Sequence, residues 1–289
     1  MAESVIAVVF DFDETLGPDT ISLFLKDQGI DVPSFWQEIN GMVQDGWDPP
    51  LAYMHKMLEL SSGSGKLDLS KKALIKAGKK VKLFPGLPVA LGDLRKFVAT
   101  NSDLKQARIN LEFYIISGGF EEMIHATTLA TETDGIFGCN FAYDDKGLPI
   151  GVKSAISFTE KTRFLHGIRK GIDSLTLRNN PYRINDAIPK DSERIPFSHM
   201  IYIGDGPSDI PCLSAVVSNG GTGIGVSAPF GTFEKGYELA RGKRITVGPY
   251  TANYKKGSDM RKVLEETILR VGLQIDVDGK RNVINAPGH

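Results

Sequence analysis

The chain has 289 residues, with 34 Lys and Arg against 35 Asp and Glu, and a formal net charge of −1. This balance provides no overall field that would attract nucleic acid or an anionic membrane. No apolar run approaches the length needed to cross a bilayer. The two cysteines, Cys139 and Cys212, are too few for a disulfide framework. We therefore expect a cytoplasmic protein with neither nucleic-acid nor membrane partners.

The first predicted element is a buried strand that ends in two carboxylates. Residues 5–10 form an apolar run, and the motif DFDET follows at residues 11–15. If the strand geometry persists, Asp11 and Asp13 point to the same side, where one can attack phosphorus while the other transfers protons. An acidic turn in which Thr15 opens a helix is the competing interpretation.

A long insertion is predicted between the first strand and the second. About 100 residues separate them, far more than a single crossover helix requires. Apolar residues recur at helical spacing over residues 19–83, with breaks at 46–50 and 61–65. A further helix over 87–97 leads to the second strand. We predict a core of residues 1–17 and 84–289, with a small helical cap at residues 18–83.

Three later apolar runs each end in a polar or glycine-rich cluster. These are residues 113–116 before Ser117, 200–203 before Gly204, and 224–226 before Ser227. Most of the four runs lack apolar/polar alternation, as expected for parallel strands that helices cover on both faces. An α/β fold is therefore predicted. Functional groups in such sheets gather at the carboxyl ends of the strands, so these clusters should share one cleft with Asp11.

The second of the four predicted strands, at residues 113–116, is followed by a hydroxyl and two glycines. Ser117, Gly118 and Gly119 could bring a side-chain hydroxyl and backbone amides close to an anion. A simple turn or helix cap is the alternative interpretation.

A lysine near a predicted helix start is a second candidate for anion binding. Ser157 and Glu160 have capping-box spacing, and Gly171 ends the helical pattern. Lys161 then lies in the first turn, where a cation is unfavourable unless an anion compensates it. A solvated surface lysine is the ordinary interpretation, and Lys153 is a competing candidate.

The third strand ends in a second pair of acids. The segment GDGPSD at residues 204–209 contains Asp205 and Asp209. Carboxylates at a strand end suit Mg²⁺, which usually takes one or two of them and leaves positions for water and phosphate. A polar turn before a helix is the alternative.

Two other segments are predicted from turn residues and composition: a hairpin beginning at residues 137–143, and a long surface loop at 178–195.

These four segments, in this order, resemble the four motifs of the haloacid dehalogenase-like superfamily, and most closely its phosphoserine phosphatase-like branch. The resemblance spans about residues 5–226. It implies a doubly wound, Rossmann-like parallel sheet with a helical cap after the first motif, and a Mg²⁺-dependent phosphatase acting on a small phosphorylated metabolite.

The resemblance also implies a role for each matching residue. Asp11 matches the nucleophile, Asp13 the acid/base, and Thr15 a residue that supports their loop. Matches to the groups that contact the phosphoryl oxygens are Ser117, Gly118 and Lys161. The metal ligands implied are Asp11, the backbone carbonyl of Asp13, and Asp205, while Asp209 would bind the metal directly or through water and help to place Lys161.

Two other functions stay open at this stage. A phosphomutase would pass the same aspartyl phosphate to a second hydroxyl, and a non-catalytic binding module would keep the fold alone. One departure from the branch is Glu14, which stands where phosphoserine phosphatases typically have Ser. A set of cap residues suited to an amino-acid substrate is not identifiable in the sequence.

Overall fold

The chain folds around one mostly parallel β-sheet. The structure is a computed structural model and describes residues 4–62, 65–189 and 192–284. In these ranges the sheet contains β1 (Ser4–Phe10), β2 (Ile109–Phe120), β3 (Gly135–Tyr143), β4 (Pro149–Ser154), β5 (Met200–Gly204), β6 (Thr222–Ser227) and β7 (Val247–Thr251). Their order is β4-β3-β2-β1-β5-β6-β7. Every neighbouring pair is parallel except β3 and β4, which form the predicted antiparallel hairpin.

Helices fill the connections between the strands. They are α1 (Thr20–Asp27), α2 (Val32–Gln44), α3 (Pro49–Ser62), α4 (Lys71–Gly78), α5 (Val89–Thr100), α6 (Ser102–Gln106), α7 (Glu121–His125), α8 (Glu160–Lys170), α9 (Ser174–Asn179), α10 (Ile210–Ser218), α11 (Glu234–Arg241) and α12 (Asp259–Ile284). Together with the sheet they give the predicted Rossmann-like α/β fold. Among the described residues, no helix is long and apolar enough to cross a membrane.

Strand β1 lies at the centre of the sheet and is buried on both faces. Ile6 and Val8 pack into the hydrophobic cluster that contains α5 and α12, while Ala7 and Val9 pack into the cluster on the opposite face. Both environments are apolar, which explains why the strand shows no apolar/polar alternation. The same burial makes the carboxyl end of β1 a rigid position for the first motif.

Four helices, α1–α4, occupy the long connection between β1 and α5. Their buried residues, such as Phe24, Met57 and Leu74, belong to the same hydrophobic cluster as Val9 of the sheet. The helices therefore pack on the sheet through a continuous apolar contact. The boundaries of a separate cap at residues 18–83 stay a prediction.

Several elements differ from the prediction or were not predicted. Helix α8 begins at Glu160 without a side-chain cap, because its N-terminal cap position is Thr159, so the predicted Ser157 capping box is not formed. The helix does end at Gly171, which is left-handed at φ 71°. The predicted loop 178–195 contains the end of α9 and a 3₁₀ turn at Pro181–Asn185, and its residues 190–191 lie outside the described residues. No prediction was made for β7, α11 and α12.

Candidate active site

The carboxyl ends of three adjacent strands form the site. Strand β1 lies between β2 and β5, so the motifs at the ends of these strands are neighbours in space. Residues 117–119 lie within β2, which extends to Phe120, and not after the strand as predicted. The amide of Asp11 donates to the carbonyl of Ile203 at 2.9 Å, which extends the parallel pairing just beyond β1. The Asp11 carboxylate is buried and accepts the amide of Phe12 at 2.7 Å. The nucleophile predicted from the sequence is thus fixed by the backbone on both sides.

The loop after β1 is a tight turn with one unusual backbone angle. Glu14 has φ 57°, and its amide donates to the carbonyl of Gly17 at 2.7 Å. A positive φ is uncommon for a residue with a side chain. The buried Thr15 offers its carbonyl to the hydroxyl of Tyr254 at 2.9 Å, which ties the turn to the segment before α12. The turn is therefore held by a hydrogen bond within its own backbone and by a second one from the buried Tyr254.

Asp13 lies between the start of α1 and the glycines of β2. Its Oδ1 accepts the amide of Thr20 at 2.9 Å. A Cβ on Gly119 would lie 2.9 Å from the other oxygen of Asp13, so the strand approaches this closely only because Gly119 has no side chain. Ser117 is fully buried and accepts the amide of Gly119 at 2.9 Å. The second motif thus packs directly against Asp13.

Lys161 joins the first and fourth motifs. Its Nζ lies 2.8 Å from Asp11 Oδ2 and 2.8 Å from Asp209 Oδ1, and 3.4 Å from the hydroxyl of Ser208. The residue is 1% exposed, so these ionic contacts are almost fully shielded from water. The competing candidate, Lys153, lies on the exposed side of β4. Of the two candidates, Lys161 is therefore the one that contacts the carboxylates of Asp11 and Asp209.

Asp209 is fully buried, and both of its carboxylate oxygens accept hydrogen bonds. Oδ1 accepts Lys161 and the hydroxyl of Tyr202, the latter at 2.7 Å. Oδ2 accepts the amides of Asp205 at 3.2 Å and Gly206 at 3.4 Å. Asp209 therefore orients both the lysine and the loop that carries Asp205.

Two residues of the site were missed by the sequence analysis. Tyr202 lies in β5, and the signal for it was a polar-tipped aromatic in an otherwise aliphatic strand. Burial first, and then the charge of Asp209, raises the pKa of Tyr202, which keeps it a hydrogen-bond donor. Lys235, in the first turn of α11, lies 3.9 Å from Asp205 Oδ2. No sequence pattern pointed to Lys235, since α11 itself was not predicted.

Three carboxylates converge to form a possible cation site. One oxygen from each of Asp11, Asp205 and Asp209 lies within 4.8 Å of the others. Burial, and then the charge of Asp209, raises the pKa of Asp11 to about 6, although Lys161 opposes the shift. Burial, and then the charges of Asp209 and Asp11, raises the pKa of Asp205 to about 8. Buried acids that repel one another in this way are a set of hard oxygen donors that suits Mg²⁺.

The pKa values of two further groups at this site, Asp13 and Lys161, are both raised. Burial, followed by the charges of Asp19 and Asp11, raises the pKa of Asp13 well above its usual value. Burial acts to lower the pKa of Lys161, but the carboxylates of Asp11 and Asp209 raise it above its usual range. These shifts favour the charged form of Lys161 and the protonated form of Asp13. The side chain of Asp13 is not a member of the converging group, and its backbone carbonyl as a metal ligand stays a prediction.

A cavity of about 290 Å³ opens over these groups. Its lining includes Asp11, Asp13, Gly118, Lys161 and Asp205 from the motifs. Residues of α2 and α3 cover the other side, and Tyr53 of α3 donates its hydroxyl to the carbonyl of Gly118 at 2.5 Å. This volume is close to the lower end of the range for small-molecule sites in proteins.

Comparison with known proteins gives the class to which this fold belongs. No protein-family model matches the chain. An uncharacterized protein of Borreliella burgdorferi is 29% identical over 233 residues, which cover 73% of this chain and 78% of that protein.

Solved structures resemble the chain over nearly its whole length. A phosphoserine phosphatase solved as a phospho-aspartyl intermediate analogue has a TM-score of 0.54 and 17% identity, covering 91% of this chain and 99% of that one. A probable phosphoserine phosphatase of Vibrio cholerae has a TM-score of 0.56 and 16% identity, covering 95% of this chain and 67% of that one. The chain therefore has the haloacid dehalogenase-like fold, in its phosphoserine phosphatase-like form.

Proposed function

We propose that this chain is a Mg²⁺-dependent phosphatase that hydrolyses a small-molecule phosphomonoester through an aspartyl phosphate on Asp11. The observation that carries the proposal is the placement of Lys161, which lies 2.8 Å from Asp11 while Asp205 and Asp209 converge on the same nucleophile. A carboxylate and a phosphate ester repel each other, so an attack by Asp11 needs positive charge beside it.

The converging acids would hold the cation. Asp11 and Asp205 are the ligands we propose, with the backbone carbonyl of Asp13. We propose a supporting position for Asp209, because four donors within the chain already use its two oxygens. When bound, Mg²⁺ would supply positive charge that neutralises the phosphoryl oxygens and the nucleophile.

In the first step, an oxygen of Asp11 attacks phosphorus and the ester P–O bond breaks. The leaving oxygen takes a proton from Asp13, whose raised pKa supports its role as the acid. Lys161 offsets the charge that the phosphoryl oxygens bring to the nucleophile. We assign the contacts to these oxygens to Lys161, the hydroxyl of Ser117 and the backbone of Gly118.

In the second step, water attacks the phosphorus of the aspartyl phosphate and Asp13 accepts its proton. The bond between phosphorus and the Asp11 oxygen breaks and releases inorganic phosphate. This restores the carboxylate of Asp11 and the protonated form of Asp13. Thr15 supports this arrangement through the turn that carries Asp13. The helical cap of residues 18–83 would exclude bulk water and contact the leaving group.

The comparisons support a hydrolase of this kind, since the similar structures include phosphoserine phosphatases. Both cysteines are free and buried, which is compatible with the cytoplasmic location that we propose. We expect a small phosphorylated metabolite as the partner and no nucleic acid or membrane.

The test is phosphate release from p-nitrophenyl phosphate and a panel of phosphomonoesters in Mg²⁺ buffer. Asp11→Asn should abolish turnover, whereas the matched variant Asp145→Asn, an exposed carboxylate on the β3–β4 turn, should retain it. Circular dichroism should show that both variants are folded. Undiminished turnover in Asp11→Asn would overturn the proposal, and an isomerised phosphosugar in place of free phosphate would favour a phosphomutase.

A further inference from the structure

Part of the cavity lining is aromatic and apolar. Trp36 of α2, together with Pro50 and Tyr53 of α3, lines it opposite the sheet edge, and Phe158 lies before α8. The rings of Trp36 and Tyr53 meet edge to face, with centroids 6.0 Å apart and an interplanar angle of 74°.

The polar atoms of these two rings already have partners within the chain. The Nε1 of Trp36 donates to the hydroxyl of Ser22 at 2.8 Å. The hydroxyl of Tyr53 donates to the carbonyl of Gly118. Trp36 is partly exposed whereas Tyr53 is 6% exposed, so a ligand meets ring surface chiefly at Trp36, and the face of an aromatic ring attracts cations.

Acidic side chains outnumber basic ones in the described cavity lining. Glu14 and Asp19 line it in addition to the acids of the motifs. Asp19 caps α1 by accepting the amides of Ile21 and Ser22, so the positive helix terminus offsets its charge. Glu14 also lines the cavity, and its Oε1 accepts the amide of Asp19, the cap residue of α1, at 3.1 Å. A cation on the leaving group would be attracted to Glu14.

Positive side chains are scarce in the cavity. Among its described lining residues, the cations are Lys161 and Lys235. Lys161 is held by Asp11 and Asp209, and Lys235 is 65% exposed beside Asp205, next to the converging acids. No arginine is present among these described residues. A carboxylate on the leaving group would thus meet Glu14 and Asp19, and the exposed cation of the described lining, Lys235, lies beside Asp205 instead.

We propose that the leaving group of the substrate carries an ammonium group, substituted or quaternary, and no carboxylate. Trp36 and Tyr53 bind its cationic end through their rings, and Glu14 supplies the negative charge. This inference rests on the proposed phosphatase function and names the substrate class of the same site. Under this proposal the substrate differs from an amino-acid phosphate, because its leaving group has no carboxylate.

Three probes isolate the features of the leaving group. Phosphocholine carries a quaternary ammonium group, 3,3-dimethylbutyl phosphate has the same shape without charge, and O-phosphoserine adds a carboxylate. We expect kcat/KM for phosphocholine to exceed that for the neutral probe by about tenfold, within the range of a desolvated cation–π contact. O-phosphoserine should be the poorest of the three.

Two variants test the residues that carry the inference. Glu14→Gln keeps an oxygen acceptor for the amide of Asp19 but removes the charge, and it should reduce the preference for phosphocholine over its neutral isostere several-fold. Trp36→Leu should reduce the same ratio. The control is Trp47→Leu, which removes a 39% exposed ring outside the cavity lining and should leave the ratio unchanged.

The outcomes separate this inference from the function on which it rests. No phosphate release from any probe, including p-nitrophenyl phosphate, would overturn the phosphatase function itself. If p-nitrophenyl phosphate is hydrolysed but O-phosphoserine or the neutral probe is preferred over phosphocholine, the inference alone is wrong. An unchanged ratio in both Glu14→Gln and Trp36→Leu would also overturn it.

Discussion

Lys161 Nζ and Asp209 Oδ1 lie 2.8 Å apart, although 48 residues separate them in the chain and neither side chain is more than 2% exposed. Separating two buried charges costs more than separating two exposed ones, because water cannot solvate the partner that is left. The same lysine contacts Asp11 at 2.8 Å. The pair therefore couples the position of Asp11, the proposed nucleophile, to the loop that carries Asp205.

Replacing Lys161 with Met should reduce turnover by about 10²–10³-fold, as for the loss of one essential group that stabilises charge. It should also lower the free energy of unfolding by about 3–5 kcal/mol, since buried acids lose their cation. Denaturant unfolding and phosphatase kinetics measure the two effects. Lys153→Met is the matched control, because Lys153 is exposed on β4. Equal losses in the two variants would contradict the assignment of Lys161.

Tyr202→Phe should remove the hydroxyl that donates to Asp209 at 2.7 Å. A hydrogen bond to a charged group contributes about 1.5–3 kcal/mol, so the free energy of unfolding should fall by that amount. The rate of turnover should fall as well, because Asp209 orients Lys161.

The control for Tyr202 is Tyr114→Phe, which removes a hydroxyl that donates to Glu112 at 2.6 Å away from the cavity. A stability loss in both variants with reduced kcat in Tyr202→Phe alone would separate a role in the site from a role in folding. If both variants keep full activity, Tyr202 is a purely structural residue.

Gly204→Ala should disrupt the site, because a Cβ at this position would overlap the carboxylate of Asp209. Asp209 would have to move and would take Lys161 with it, so we expect a large loss of kcat. Gly206→Ala is the comparison, since its nearest described neighbour would be Cδ of Lys235 at 3.7 Å, an ordinary contact. Kinetics and thermal unfolding of both variants test this difference, and similar behaviour of the two would show that Asp209 tolerates displacement.

Mg²⁺ should stabilise the folded protein independently of turnover. A ligand that binds the native state at 100 times its Kd adds about 2.7 kcal/mol, so Tm should rise with Mg²⁺ concentration and fall with a chelator. Asp205→Asn should weaken this response, because it removes one of the three converging carboxylates. Asp259→Asn, which changes an 85% exposed side chain, should keep it. If the Tm of the wild-type protein does not change with Mg²⁺ concentration, the result would argue against the cation site.

Local sequence patterns predicted a large part of this fold. The predicted apolar runs lie within β1, β2, β5 and β6, and they lack polar alternation because these strands are covered on both faces. Strand β2 is longer than the predicted run 113–116, since it extends from Ile109 to Phe120. The hairpin β3–β4 was predicted from its turn residues, and the end of α8 from Gly171. The start of α8 was predicted wrongly, since capping-box spacing occurs at Ser157 without the hydrogen bonds that define the motif. Strand β7 and helix α12 were not recognised from the sequence.

The sequence by itself determined which residue types end each central strand, because strand ends, glycines and acids leave a local pattern. Tertiary structure alone decided which of them meet. It brings Lys161 rather than the exposed Lys153 into contact with Asp209, surrounds Asp209 with four donors, and includes Tyr202 among them. These choices depend on the order of strands in the sheet and on burial, which set the distance between charges and the strength of their interaction. Neither quantity is encoded in the spacing of residues along the chain.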